Sequence, residues 1–298
     1  MAKTELFARQ QNAGAFVFTD ESRTTGNIFF VDSNTGTDSA GYGRNPDAPC
    51  ATLDYAIGLC TASKADRIYV MPGHAETIVG AAGVALDVAG VKVVGLGQGR
   101  NRPTFTFTTS TGASFDISAA NCHVENLVFI NGIDAQTAVV NVTAASVTIK
   151  GCEFVLADSS TQAAVGILAS AAGDRLLVED CWLHGTSDAG VTNAISFGAC
   201  DDAIIRNNVI AGAFAVSGAI NNSAAAINVL VWGNTLLNRT ADGDNKTVVF
   251  HASTVGVIAN NRSAIIDSSG PAPFTAAAGF VGGNYSASAV GVSAGTLI

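Results

Sequence analysis

The chain has 298 residues, of which 48% are hydrophobic and only 13% are charged, and its formal net charge is −9. This balance excludes an intrinsically disordered chain, and no apolar run of about 18 residues is present that could span a membrane. Because the 15 Lys and Arg form no basic cluster, we expect neither a nucleic-acid partner nor a membrane partner.

Residues 1–26 are polar and irregular apart from the apolar cluster at 15–18, and they predict an N-terminal arm. The first residues lack the apolar core of a signal peptide, so we expect synthesis in the host cytoplasm without secretion. The six cysteines include no CxxC pair, and we expect reduced, buried thiols.

Residues 27–80 predict an N-terminal cap and a first coil. A strand is expected at Ile28–Val31, and a short capping helix at about 51–62, where Leu53, Ile57 and Cys60 fall on one helical face. Such a helix would close the open end of a stack of strands, whose unpaired backbone groups need a cover.

A repeat runs through residues 81–267. Gly, Asn or Asp, which tolerate a left-handed backbone, recurs at intervals of 31, 25, 29, 27, 26 and 27 residues. Val or Ile stands two residues before each of them, which is the alternation of a strand. These predicted corner residues are Gly95, Asn126, Gly151, Asp180, Asn207, Gly233 and Asn260.

Each unit therefore predicts a strand, a one-residue corner and a second strand, with a third apolar strand 11 to 13 residues before the corner. A helix-free unit of about 27 residues is typical of a parallel β-solenoid, and parallel crossovers are nearly always right-handed. We predict an all-β protein: a right-handed single-stranded parallel β-helix of about seven or eight coils. Residues 268–298 are expected to form a C-terminal tail or a terminal strand.

Two columns of the repeat predict stabilising contacts between coils. The residue after each corner is expected to point inward, where stacked amides can hydrogen-bond along the axis. This interior ladder comprises Cys152, Cys181, Asn208, Asn234 and Asn261. The residue before each corner alternates in charge from coil to coil, and this column reads Glu125, Lys150, Glu179, Arg206 and then Trp232.

A third column should point away from the core, yet its later members are large and apolar. They are Leu177, Ile204, Leu230 and Val257. An exposed apolar strip of this kind usually marks an interface, so we expect an oligomer or partner contact there. The alternative is that a loop or the C-terminal tail covers the strip.

The segments Val31–Ile57 and Asp66–Thr77 resemble the N-terminal segment of pectate-lyase-like β-helix proteins, a type frequent in bacteriophage virions as tailspikes, fibres and head-decoration proteins. The resemblance covers about 50 residues, and the coil pattern extends it. It implies a phage structural protein, often a homotrimer, on the particle surface.

Paired carboxylates, which glycan hydrolases need, are not evident in any column. The column two residues after each corner holds one acid, Glu153. In the column directly before each corner, Lys150 separates Glu125 from Glu179. The best remaining pair, Asp201-Asp202, is expected in a solvated loop. We therefore predict no catalytic residues.

Metal and cofactor sites are not expected either. His74, His123, His184 and His251 lack metal-ligand spacing and are expected to be structural or exposed. The stretch 32–38 resembles a calcium loop but lacks the distal bidentate Glu, so a plain turn is favoured.

The function expected from the sequence is a non-enzymatic phage virion protein, a trimeric capsid-decoration protein that contacts another virion protein. The alternative is a tailspike or fibre that binds or depolymerises a host surface polysaccharide. Trp182 and Trp232 could stack on sugar rings, but they lie in different columns, and a lone Trp is more often a packing residue. A bacterial adhesin or lyase is disfavoured because no signal peptide is seen.

Overall fold

The computed structural model describes residues 26–156, 161–185, 191–214, 218–240, 246–265, 273–288 and 296–297. The predicted arm at 1–26 lies outside these residues except for Gly26. Within them, the chain winds through three strands per coil, and each kind of strand stacks into its own sheet.

The first sheet holds the strands that precede the corners. Its members are β1 (Ile28–Val31), β2 (Arg67–Val70), β5 (Lys92–Gly95), β8 (His123–Glu125), β11 (Thr148–Lys150), β14 (Leu177–Glu179), β17 (Ile204–Arg206), β20 (Ile227–Trp232), β23 (Val255–Ala259) and β26 (Phe280–Gly282).

The second sheet holds the strands that follow the corners. Its members are β3 (Ala75–Ile78), β6 (Thr104–Phe107), β9 (Val128–Asn131), β12 (Glu153–Val155), β15 (Trp182–His184), β18 (Val209–Gly212), β21 (Thr235–Asn238), β24 (Arg262–Ile265), β27 (Tyr285–Ser288) and β28 (Thr296–Leu297).

The third sheet completes each coil. Its members are β4 (Val84–Leu86), β7 (Phe115–Ile117), β10 (Gln136–Val142), β13 (Ala163–Ala169), β16 (Asn193–Phe197), β19 (Ile220–Asn222), β22 (Val248–Val249) and β25 (Phe274–Thr275).

Neighbouring strands pair in parallel and in register, as Leu177 with Ile204 and Ile204 with Leu230 illustrate. Among the described strands, only β27 and β28 pair antiparallel. The molecule is a right-handed parallel β-helix, which confirms the predicted fold class. Three strands at 274–288 continue the three sheets inside the segment for which a tail or terminal strand was predicted.

The capping helix α1 spans Leu53–Gly58, inside the predicted stretch 51–62. Thr52 is its N-cap, and the Thr52 side chain accepts a hydrogen bond from the Tyr55 backbone N–H. Leu53, Ala56 and Ile57 are buried against the first coils. The Glu76 carboxylate also holds the helix start, since it accepts from the Leu53 N–H at 3.0 Å.

The predicted corners adopt the left-handed backbone in six of seven cases, with φ between +54° and +68°. Gly95 is the exception: it pairs with Val70 as the last residue of β5, and Gly97 takes the positive φ of +96° instead. The prediction for Gly95 is therefore wrong in its backbone conformation. Glycine is needed there for another reason, because a Cβ would lie 2.3 Å from the Asn126 carbonyl oxygen.

Phenylalanine rings fill the interior of the middle coils. The Phe129 ring lies 5.0 Å from Phe154, 5.4 Å from Phe115 and 5.9 Å from Phe105, measured between ring centroids. All four rings are almost fully buried. Burial of such large side chains is a main source of stability for the solenoid.

Candidate functional site

The interior ladder forms as predicted and continues to Asn284. The backbone N–H of Cys181, Asn208, Asn234 and Asn261 each donates to the side-chain oxygen of the next asparagine, always at 2.9 Å. Each side-chain amide also donates to a first-sheet carbonyl. Cys152 and Cys181 lie buried one coil apart at the start of this stack, and the whole ladder is structural.

The outward apolar strip also lies where the sequence places it. Leu177, Ile204, Leu230 and Val257 are aligned in adjacent strands, and all four are half-buried. Phe280 extends the strip by one more strand and is 63% exposed. The interface assigned to these side chains stays a prediction.

Beside this strip, the charged column forms two separate sets of ion pairs, and the first includes Lys92 from the column of the strip itself. Lys92 Nζ lies 2.8 Å from a Glu125 carboxylate oxygen, and Lys150 Nζ lies 3.0 Å from Glu179. Glu179 also accepts from the Arg206 Nε at 2.8 Å. Burial raises the pKa of Glu125 and Glu179, but these cations outweigh it and hold both pKa values below the ordinary range.

Acid is expected to destabilise the fold in two steps. Burial and Lys92 lower the pKa of His123, so the unfolded chain binds that proton first and stability begins to fall below about pH 6.5. Because the pKa values of Glu125 and Glu179 are lower in the folded protein, these carboxylates stabilise it above about pH 4.5. That stabilisation is lost as the pH falls through the pKa values of the folded state.

Urea unfolding at pH 7, 5, 4 and 3 measures this loss, with Glu179→Gln expected to flatten the curve below pH 5. Asp47→Asn, at an exposed loop position, is the control and should keep the wild-type curve. A Glu179→Gln curve parallel to the wild type would refute the role of the charged column.

The most chemically distinctive group lies on the outer face of the second sheet. His184 Nε2 is 3.0 Å from one Glu153 carboxylate oxygen, and Arg102 Nη1 donates to the other at 3.0 Å. The Trp182 ring stacks on the His184 imidazole with 4.2 Å between centroids. Trp182 is 48% exposed, so its ring forms the solvent-facing side of this cluster of four side chains.

The fold explains why these four side chains meet. Glu153 pairs with Trp182 across β12 and β15, and His184 follows two residues later on the same outer face. Arg102 comes from the longer corner after the 3₁₀ helix Gly99–Asn101. Its guanidinium also donates to the Leu127 and Gly151 carbonyls, which fixes it against the corners of the next two coils.

This geometry sets the protonation pattern of the imidazole. A carboxylate that already binds Arg102 accepts hydrogen bonds, so the His184 Nε2 carries the proton that lies toward Glu153. With Nε2 engaged by Glu153, Nδ1 is the ring nitrogen left to accept a proton. An imidazole oriented in this way by a carboxylate is suited to accept a proton from a bound molecule.

The other histidines hold structural or peripheral positions. His74 is buried; its Nδ1 accepts from the Ser33 N–H, and its Nε2 lies 3.1 Å from Glu76. His123 contacts Glu125 in the charged column, and His251 is exposed. The stretch 32–38 is a turn in which the Asp32 carboxylate accepts from Asn34 and Thr35.

Among the described residues, no group of three or more His, Cys, Asp and Glu is arranged to hold a metal ion. Within the part of the chain that the structure describes, no helix is long and apolar enough to cross a membrane. Asp201 and Asp202, for which a solvated loop was predicted, accept hydrogen bonds from the neighbouring coil. Asp201 accepts from the Ile227 N–H and Asp202 from the Asn228 side-chain amide.

Sequence reasoning assigned His184 a structural or exposed role and overlooked the group around it. One signal was present, because Glu153 and Trp182 are successive members of one outward column. The contribution of Arg102 had no local signal, since it lies 51 residues from Glu153.

Comparison with protein families and with curated proteins finds no match for the chain. Among solved structures, a rhamnogalacturonan lyase is similar, with 14% identity, a TM-score of 0.39, and 78% of this chain and 74% of the other covered. A pectin methylesterase in complex with a hexasaccharide is similar with 14% identity, a TM-score of 0.36, and coverages of 83% and 68%.

Both of these proteins are enzymes by name. The parallel β-helix of this chain supports the resemblance to pectate-lyase-like proteins at the level of the fold. The comparison contradicts our prediction of a protein without enzymatic activity, and that prediction is withdrawn. At this low identity the likeness is one of fold, and no substrate or residue role carries over from either enzyme.

Proposed function

We propose that this β-helix is a tailspike- or fibre-type protein of a bacteriophage particle that binds and depolymerises a host surface polysaccharide. The observation that carries the proposal is the His184 imidazole held between the exposed Trp182 ring and the Glu153 carboxylate. It combines a surface on which a sugar ring can stack with a group that can transfer a proton.

Trp182 supplies the binding surface. Its large apolar ring is exposed on a sheet face, and the apolar face of a pyranose can pack against such a ring. Val209, the next member of the column, is 45% exposed and extends the apolar surface by one strand. A bound sugar chain would thus lie along the outer face of the second sheet.

His184 is the proposed general base at Nδ1, and Glu153 and Arg102 are positioning residues that act through it. The cluster contains one carboxylate, and that carboxylate is engaged by both His184 and Arg102. Two independent carboxylates, as hydrolysis by an acid–base pair requires, are not available there. The geometry favours β-elimination at an acidic sugar: Nδ1 takes the proton from the carbon beside the carboxylate, a carbon–carbon double bond forms, the glycosidic C–O bond breaks, and water protonates the leaving oxygen.

Binding and cleavage are tested with the full chain on a panel of bacterial and acidic polysaccharides. Trp182→Ala is expected to weaken binding about tenfold, because it removes the stacking surface. His184→Gln is expected to retain binding but to lower the cleavage rate by about 10²- to 10⁴-fold. Trp232→Ala is the matched control, since Trp232 is 43% exposed on the first sheet.

Absence of binding to every polysaccharide would overturn the proposal. Binding that Trp182→Ala leaves intact would remove the site from this face, and cleavage that survives His184→Gln would remove the assigned base. Loss of activity in Trp232→Ala alone would transfer the site to the first sheet.

The position on a particle is tested by antibody-gold labelling of phage that carry the gene. Label at the tail supports a spike or fibre, whereas label over the head contradicts it and supports a decoration protein. A homotrimer assembled through the apolar strip of Leu177, Ile204, Leu230 and Val257 belongs to the same proposal, and sedimentation of the full chain measures it.

A further inference from the structure

A groove lies on the same outer face as Trp182, closer to the C-terminal end of the solenoid. Its volume is about 630 Å³, and it crosses β21, β24 and β27. Its lining includes the side chains of Thr235, Leu237, Arg262, Ala264 and Tyr285. Tyr285 is 56% exposed, so the groove has an open aromatic wall.

Arg262 gives the groove its charge. It is exposed, it is the one charged residue in the lining, and it forms no ion pair with any residue that the structure describes. Two other arginines of the outer surface behave differently: Arg102 binds Glu153 and Arg206 binds Glu179. In a chain of net charge −9, a cationic groove without a lining carboxylate favours an anionic ligand.

The groove is continuous with the proposed sugar-binding surface. Strand pairing places Trp182, Val209, Thr235, Arg262 and Tyr285 in one column, each one strand beyond the last. Four strand spacings separate Trp182 from Tyr285, which amounts to about 19 Å. A short linear oligosaccharide can span this distance along the helix axis.

We propose that this groove is a remote subsite for an anionic sugar of the same glycan, in which Arg262 pairs with the acidic substituent and Tyr285 stacks on the ring. The proposal rests on the proposed function, since it extends the glycan from Trp182. It predicts that the bound polymer is acidic, that it runs parallel to the axis, and that chains too short to reach Arg262 bind less tightly.

The test measures affinity by calorimetry for size-graded oligosaccharides of alginate, hyaluronan, polygalacturonate and polysialic acid, each beside its carboxyl-reduced form. Dextran sulfate and dextran form a further pair that separates sulfate from carboxylate recognition. The wild type is expected to gain about tenfold in affinity once the chain spans about 19 Å, and to lose that gain on carboxyl reduction.

Arg262→Gln should remove the gain and leave the affinity for short chains unchanged, and Arg262→Lys should restore part of it. Arg100→Gln, at an exposed arginine of the 3₁₀ helix, is the control for net charge and should behave as the wild type. The salt dependence of binding should weaken in Arg262→Gln alone.

The outcomes separate the two proposals. Binding without a length step, or equal binding of the reduced polymers, overturns the remote subsite and leaves the Trp182 site standing. A charge preference that persists in Arg262→Gln also overturns it. Short chains whose affinity does not change in Trp182→Ala overturn the proposed function, and absence of all binding overturns both. A gain for dextran sulfate alone overturns carboxylate recognition.

Discussion

Phe129→Ala is expected to destabilise the protein by about 3–5 kcal/mol, because it removes a fully buried ring and leaves a cavity. The Phe129 ring contacts Phe105, Phe115 and Phe154, which come from coils on both sides. In a solenoid each coil is stabilised mainly by its neighbours, so the loss affects three coils together.

Urea unfolding measures the change, and Phe129→Leu should recover more than half of the loss because it refills most of the volume. Val79→Ala is the control: Val79 is 56% exposed, and its truncation should change the free energy of unfolding by less than about 0.5 kcal/mol. Equal effects of Phe129→Ala and Val79→Ala would contradict the buried ring stack.

Asn234→Leu is expected to cost about 2–6 kcal/mol, although leucine has a similar size and branching. Asn234 Oδ1 accepts from the Asn208 backbone N–H at 2.9 Å, and its amide donates to the Ile205 carbonyl at 3.0 Å. The substitution leaves the buried Asn208 N–H without its side-chain acceptor and removes the amide that donates to the Ile205 carbonyl, and each loss costs about 1–3 kcal/mol.

Asn221→Leu is the matched control, since Asn221 points outward on the third sheet and is half-buried. Its free energy of unfolding should stay within about 0.5 kcal/mol of the wild type. Amide hydrogen exchange adds a second readout, because the Asn208 N–H should lose protection in Asn234→Leu. A protected Asn208 amide in that variant would show that the ladder bond is dispensable.

The repeat made most of the architecture predictable. Two-residue alternation identified the first-sheet strands, and the left-handed corner residues fixed where each strand ends, as at Asn126 and Asp180. The predicted ladder follows from the same register, because the residue after a corner has one inward direction. The ladder extends to Asn284, inside residues 268–298, for which a C-terminal tail or a terminal strand was predicted.

The candidate site was only partly predictable. Glu153 and Trp182 are neighbours in a column that the sequence displays, whereas Arg102 reaches them from a longer corner that interrupts the repeat. The groove around Arg262 depends on Tyr285, which lies beyond the predicted end of the solenoid.

The sequence by itself determined the β-helix, its corners and its interior ladder, because these depend on periodicities that are local to each coil. Only the tertiary structure decided that Gly95 is extended, that α1 ends at Gly58, and which side chains share an outer face. The physical reason is that outward side chains meet across coils at separations of 23 to 51 residues, as Arg262 with Tyr285 and Arg102 with Glu153 do. Insertions between coils set these separations, and no local pattern encodes them.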